Sequence, residues 1–262
     1  MNNTKFIEIN KFSHLHNYSD IFFCKTDYIF QDFATISNLN HDIILITGNS
    51  DYAITDEIVN SAPKNIKSWY AQNALSNNNI LHPIPLGLEN SKDSTRSGHG
   101  ISYPERCSLK ENLINRYKDV KPIILDKIYS NFNIITNISH RSKIKEISLF
   151  SKHIDWTEEH SDLSKYFKEM SKYELILCPI GNGIDTHRLW EVLYLNRIPV
   201  TIKVGNFKLY ELYKNFPIII LENIKELYDD NIMEQKYLEC KSKIYDISLL
   251  DINTWINKIN NK

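Results

Sequence analysis

An α/β protein of two lobes with a ligand cleft between them is the fold class that the 262-residue sequence predicts. Three observations carry that expectation. From about residue 123 onward, strand-sized apolar runs alternate with helix-like segments, and such alternation builds a parallel sheet with crossover helices. The first third repeats the alternation in shorter form. Between them lies ENSKDSTRSGHGISYPE at 89–105, rich in Ser and Gly and poor in apolar residues, as a loop or linker is.

In chain order, FIEIN, DIILITGNSD at 42–51, IKSWYAQN at 66–73 and ILHPIPLG at 80–87 are apolar or alternating runs bounded by Gly, Asn, Asp and Pro, and read as strands. TDEIVNSAP at 55–63 offers Thr55 as a cap and stops before a proline, which suits a short helix. RCSLKENLINRYKD at 106–119 is helix-like, and KPIILDKIYSNFNIIT opens the second alternation. There the pattern places strands at 127–135, 174–178, 198–202 and 217–221, with helices at about 140–150, 163–172, 185–196 and 206–214 and a helical tail. The lobes are therefore set at 1–105, with the linker over 89–122, and at 123–262.

With 42% hydrophobic and 24% charged residues, the chain has the composition of a globular protein with a sizeable core. Its 31 basic and 32 acidic residues leave a net charge of −1, which gives no electrostatic reason for nucleic acid or an anionic membrane as partner. Anion recognition must then be local. Cys24, Cys107, Cys178 and Cys240 are scattered singly, so neither a zinc site nor a disulfide framework is indicated. No apolar run has the length of a signal peptide or a membrane span, and a cytoplasmic protein with no transmembrane segment is expected.

Chemistry concentrates at 178–191, where the apolar run ELILCP breaks into Gly181-Asn182-Gly183 and re-emerges as a helix carrying Asp185, His187, Arg188 and Glu191. Glycines without side chains let backbone amides approach a ligand, and a helix start aims unpaired N–H groups at the same spot. A plain tight turn is the alternative. His187 and Arg188 fall in the first helical turn, where a cation opposes the helix dipole unless an anion or an ion pair with Asp185 or Glu191 offsets it. Glu191, three and four residues beyond them on one helical face, suits either the hydroxyls of a ribose or such a salt bridge. Leu189, Trp190, Val192, Leu193 and Leu195 face the other way, as core.

The stretch LILCPIGNGIDTHRLWEVLYLNRIPVTI resembles the donor-binding segment of exostosin-like glycosyltransferases and their microbial relatives, in which a Gly-rich turn, an Arg and a Glu precede a helix ending in a G-x-I-P-V turn. Asn196 stands where that family usually has Gly, and Asn also tolerates the left-handed conformation. ITGNSDYAI, IKSWYAQNA, IPLGLENS and NFNIITNISHR are similar to further blocks of such enzymes, in the same order, so the resemblance covers most of 42–222. It implies a GT-B-like architecture of two Rossmann-like lobes, with a nucleotide sugar on the C-terminal lobe and a glycan or oligosaccharide acceptor on the N-terminal one. It also implies sugar transfer without a metal or other cofactor, and with inversion.

On that reading the donor is held by Arg141, Gly181, Asn182, Gly183, Asp185, His187, Arg188 and Glu191, where amides and cations stabilise the charge gained by a leaving diphosphate. Arg141 follows the Asn137-Ile138-Ser139-His140 turn; the alternative is a surface arginine at a helix start. A base to deprotonate the acceptor is sought at the end of the strongest N-terminal strand, which points to Asp51, with His82 and Glu89 in reserve. Asp51 as a turn former and His82 as a packed core histidine are the alternatives. Trp69, Tyr70 and Gln72 are either an acceptor platform or core. Asp229-Asp230 reads as a solvated helix face rather than a metal-binding pair. A noncatalytic nucleotide- or glycan-binding module of the same fold, or a phosphosugar enzyme, would carry much of the same pattern.

Overall fold

A computed structural model of the chain describes residues 5–17, 20–91, 102–158 and 162–261. The strand expected at FIEIN does not form. Glu8 makes a single antiparallel bridge to Gly87, and α1 (Ile9–Phe12) begins directly after it. Residues 6–10 are all buried, so the run lacks the in-out alternation of a half-exposed strand.

The first sheet holds β1 (Ile21–Lys25), β2 (Ile43–Gly48), β3 (Ile66–Ala71) and β4 (Leu81–Pro83), parallel and side by side in chain order. Strand β1 and helix α2 (Ile29–Ser37) stand where the sequence pattern marks no element. As expected, Thr55 caps the short α3 (Asp56–Asn60) by accepting the Ile58 amide. Beyond β2 and β3 the chain turns at Asn49 (φ 56°) and Asn73 (φ 48°), in the left-handed region that Asn tolerates best after Gly. Strand β4 is shorter than its apolar run because Pro83 and Pro85 lack the N–H that a ladder needs.

Helix α4 (Tyr103–Tyr117) starts three residues before the expected 106. Ser102 and Glu105 form a reciprocal capping box, and Pro104 occupies the first turn, where its missing N–H costs nothing. Residues 92–101 of the expected linker lie outside the described residues.

The second sheet comprises β5 (Ile124–Ser130), β6 (Ile154–Trp156), β7 (Tyr173–Leu177), β8 (Ile198–Ile202) and β9 (Ile219–Leu221), all parallel, in the order β6-β5-β7-β8-β9. Helices α5 (Ile138–Phe150), α6 (Leu163–Met170), α7 (His187–Tyr194) and α8 (Leu209–Tyr213) connect them, and α9 (Asp230–Ser242) and α10 (Ile252–Asn260) follow. Strand β6 is unforeseen, and it matters for topology. Because β6 lies outside β5, the chain reverses direction across the sheet between β5 and β7, which makes their carboxyl ends a topological switch point.

Asp229 is the N-cap of α9, accepting the Asn231 and Ile232 amides, and Asp230 pairs with His153 at 2.8 Å. The fold is thus mixed α/β with two parallel sheets. One apolar cluster joins them, setting Ile46 and Tyr70 of the first sheet with Tyr129 and Ile176 of the second and Trp190 of α7. Each such fully buried side chain contributes about 1.5–3 kcal/mol by leaving water. All four cysteines are free and buried. Among the described residues no helix is long and apolar enough to cross a membrane.

Candidate functional site

Two segments leave the second sheet at its switch point, residues 131–137 after β5 and 178–186 after β7. Arg141 of α5 braces the second: its Nε donates to the Ile180 carbonyl at 2.8 Å, one terminal nitrogen to Asn133 O at 2.8 Å and the other to Pro179 O at 3.3 Å. Asn137 accepts the His140 amide as the N-cap of α5 and donates to Gly181 O at 2.9 Å.

The two glycines answer first to protein neighbours. The Gly181 amide is bonded within the turn to Gly183 O at 3.0 Å, so it is not an open donor. A Cβ on Gly183 would lie 2.8 Å from the amide group of Asn73, across on the first sheet. That amide is fixed, since Asn73 Oδ1 accepts the Asp185 N–H at 3.0 Å and Nδ2 donates to Ser50 O at 3.3 Å. Asn182 is exposed and donates to Asp51 Oδ2 at 3.2 Å.

Asp185 continues this docking. Its buried carboxylate accepts the Leu86 amide (2.9 Å) from the first sheet's side, the Thr186 amide (3.0 Å), Tyr213 OH (2.7 Å) and Trp190 Nε1 (2.8 Å). Burial among neutral partners pushes its pKa up to about 6, against the pull of those four donors.

Helix α7 then turns from neutral to charged contacts. Glu191 pairs neither with His187 nor with Arg188 of its own helix; Lys110 of α4 meets it at 2.6 Å, and Tyr166 OH of α6 donates to it at 2.8 Å. The same Lys110 binds Glu89 at 2.7 Å, and Arg106 Nε reaches Glu89 at 2.8 Å. Lys110 is only 1% exposed. Its burial opposes the charge, yet Glu191 and Glu89 raise its pKa above the ordinary lysine value. For Glu89, burial pushes the pKa up but the charges of Lys110, His187 and Arg106 outweigh it and bring it down to about 2. Burial likewise opposes ionisation of Glu191, and Lys110 and Tyr166 hold it below the usual carboxylate range.

Arg188, part-buried, lies over the Tyr166 ring with its guanidinium carbon 5.1 Å from the centroid and donates to Asn131 Oδ1 at 3.1 Å. Among the described residues it has no carboxylate within ion-pair distance. The side chain of Thr186 makes no capping bond, so the first-turn amides of α7 have no side-chain partner there. His187 places Nδ1 2.8 Å from Gly87 O and Nε2 3.8 Å from Glu89 Oε2.

These groups surround one pocket of about 620 Å³, lined from both sheets. Lys25, Arg106, Lys110, Arg141 and Arg188 line it, against the carboxylates of Asp51, Glu89, Asp185 and Glu191. Every sequence-named donor residue lies on its wall, as do Asp51 and Glu89; His82 of β4, tilted against Tyr70 of β3, does not. Trp69 and Gln72 are core rather than platform: Trp69 is fully buried with Nε1 on Thr47 Oγ1, and Gln72 bonds the carbonyls of Pro85 and Leu86.

Lys110, Arg106, Tyr166, Asn131 and Lys25 are among the wall residues that sequence reasoning missed. A signal existed for one. Lys110 shares the buried stripe of α4 with Cys107, Leu113 and Ile114, and a lysine inside an apolar stripe requires a buried partner.

Outside the pocket, Glu8, Cys107 and Glu111 bring two carboxylates and a thiol within 4.8 Å of one another. Metal ligands must shed their protons. Here burial pushes both the Cys107 thiol and the Glu111 carboxyl up, and Lys11 is already paired with Glu8, so the trio favours protons over a metal.

No protein-family model matches the chain, and no curated protein does. Among solved structures it is similar to TarM, whose crystal structure aligns at 13% identity with a TM-score of 0.34 over 96% of this chain. The chain spans 57% of TarM. A score that low carries no argument about fold or activity.

Proposed function

We propose that the chain is a glycosyltransferase of GT-B-like architecture, moving a sugar from a nucleotide-sugar donor to a glycan or oligosaccharide acceptor with inversion and without a metal. The observation that carries this reading is Arg188. A part-buried guanidinium in the first turn of a helix whose dipole opposes it, in no ion pair among the described residues and with its charged neighbour Glu191 already paired with Lys110, is suited to bind a further anion. It stands at the switch point of a parallel sheet, where α/β folds bind ligands, in a pocket roomy enough for a nucleotide.

The chemistry follows from charge. As a glycosidic bond to a nucleoside diphosphate breaks, negative charge builds on the phosphate oxygens, and cations fixed beforehand stabilise that state more than the ground state. Arg188, stacked on Tyr166, is poised to do so, and the first-turn amides of α7 add a positive dipole end. The Lys110 network fixes Glu89 and Glu191 on the same wall, so the wall is set before a ligand arrives. The exostosin-like resemblance of 175–202 supports a donor of this class.

A panel of UDP-, GDP-, dTDP- and CMP-sugars tests the reading through nucleotide release, with EDTA present to exclude a metal requirement. Turnover of one donor, undiminished by EDTA, is expected. Nucleotide binding without any turnover would instead make the chain a binding module, and neither binding nor turnover would remove nucleotide sugars altogether.

A further inference from the structure

We infer that His187 is the proton acceptor of the transfer, taking the acceptor hydroxyl's proton on Nε2 while the Gly87 carbonyl holds its Nδ1–H. This rests on the transferase reading of the pocket. A carbonyl oxygen has no hydrogen to give, so the 2.8 Å contact requires the hydrogen on Nδ1, and the neutral ring carries its lone pair on Nε2.

The carbonyl is itself held in place. Gly87 has φ 72°, its Cβ position would be 2.1 Å from the Ile7 carbonyl, and the next amide, Leu88 N–H, donates to that same carbonyl at 3.0 Å. Only glycine fits there, and the imidazole is locked in one tautomer by backbone that cannot swing away.

The ring lines the pocket with 39% of its side chain exposed. Its Nε2 is 3.8 Å from Glu89 Oε2, too long for a hydrogen bond, so the lone pair stays open to a hydroxyl that donates its single hydrogen to Nε2. Glu89 is kept ionised by Lys110 and Arg106, so a fixed negative charge waits beside the imidazolium that proton transfer creates. The charged groups that act on the ring are Glu89 at the end of the first lobe and Glu191 on α7. The two carboxylates offset the helix dipole, which alone would oppose a cation at this position.

Asp51, the expected base, reaches the pocket from the first sheet but is exposed, with the Asn182 amide as its hydrogen-bond donor.

In the step itself the acceptor oxygen forms a bond to the anomeric carbon of the sugar. The bond from that carbon to the donor's phosphate oxygen breaks, and its electron pair stays on that oxygen. The hydroxyl proton passes to Nε2, and the imidazolium returns it to solvent after the products leave.

The test uses nucleotide release from the donor that the wild type turns over. His187→Asn keeps an N–H for the Gly87 carbonyl and removes the base, so turnover falls about 100- to 10,000-fold while nucleotide-induced thermal stabilisation persists. His187→Ala recovers part of its rate in added imidazole. The wild-type rate declines tenfold per pH unit on the acid side, and that limb is missing from His187→Asn. A His187→Asn enzyme within threefold of wild type, or an acid limb that survives His187→Asn and vanishes in Asp51→Asn, overturns the assignment and leaves the transferase reading intact. A wild type that neither binds nor turns over any donor overturns both.

Discussion

Both sheets are parallel, but the first runs in chain order and the second reverses between β5 and β7. Past β2 and β3, neutral amide side chains tie the first sheet's carboxyl ends to the segments around them. Gln72 accepts the Asn49 amide and donates to Pro85 O and Leu86 O, while Asn73 bonds both Ser50 and Asp185. At the second sheet the reversal separates the segments after β5 and β7, and there Arg141 donates to Asn133 O and Arg188 to Asn131. The first sheet both docks through these amides and lends Lys25 and Asp51 to the pocket wall, whereas the second, at its switch point, lends the arginines and the start of α7. Lys110, on the helix between the sheets, joins the two by holding Glu89 and Glu191 together.

The sharpest way to break this contrast is Lys110→Met. It leaves two buried carboxylates relieved by Arg106, Tyr166 and His187 but no longer by the ammonium between them, and a loss of about 3–5 kcal/mol in denaturant unfolding is expected. Adding Glu191→Gln should recover part of that loss, because the two positions are directly coupled. An additive double mutant would mean the network does not join the sheets.

Acid–base titration of stability separates the neutral dock from the charged network by sign. Asp185 has a folded pKa of about 6 against an ordinary 3.8, so its favourable contribution is complete below 3.8 and disappears as pH rises through 6, a change of about 3 kcal/mol. Glu89, lowered to about 2 from 4.5, has the opposite sense: its contribution is present above 4.5 and is lost as pH falls through 2. Asp185→Asn should therefore flatten the stability profile between pH 4 and 6 and leave the fall below pH 4. An unchanged slope between pH 4 and 6 would show that Asp185 does not carry it.

A smaller effect is expected at the contact between the sheets. Gly183→Ala places a methyl against the locked Asn73 amide and should cost about 1–3 kcal/mol, measurable as a lower Tm. Cutting the neighbour back in Gly183→Ala/Asn73→Ala should make the added methyl cheaper. If Gly183→Ala is neutral by itself, the turn is not pressed against the first sheet.

Much of this contrast was legible in the sequence, for identifiable reasons. Strands β2, β3, β7 and β8 are apolar runs bounded by Asn, Gly or Pro, and the break at Gly181-Asn182-Gly183 followed by His187, Arg188 and Glu191 marked the pocket wall. Strand β6, at three residues, is too short for a periodic signal, so the reversal of the second sheet could not be read from pattern. Partners were less legible than positions. Glu191 was expected to face a ribose or its own helix, but Lys110 is 81 positions away in the chain, and nothing local specifies that meeting. Gly183 looked like a ligand cradle because its actual neighbour, Asn73, comes from the other sheet.

The central claim, that Arg188 awaits the anionic part of a nucleotide, is tested most directly by thermal unfolding with UDP, GDP, dTDP and CMP in wild type and Arg188→Ala. At about one hundred times its Kd, a nucleotide adds about 2.7 kcal/mol, or about 5–10 °C in Tm for a chain of this size. One nucleotide should give that shift in the wild type and little of it in Arg188→Ala. Equal shifts in both proteins, or none in either, would contradict the claim.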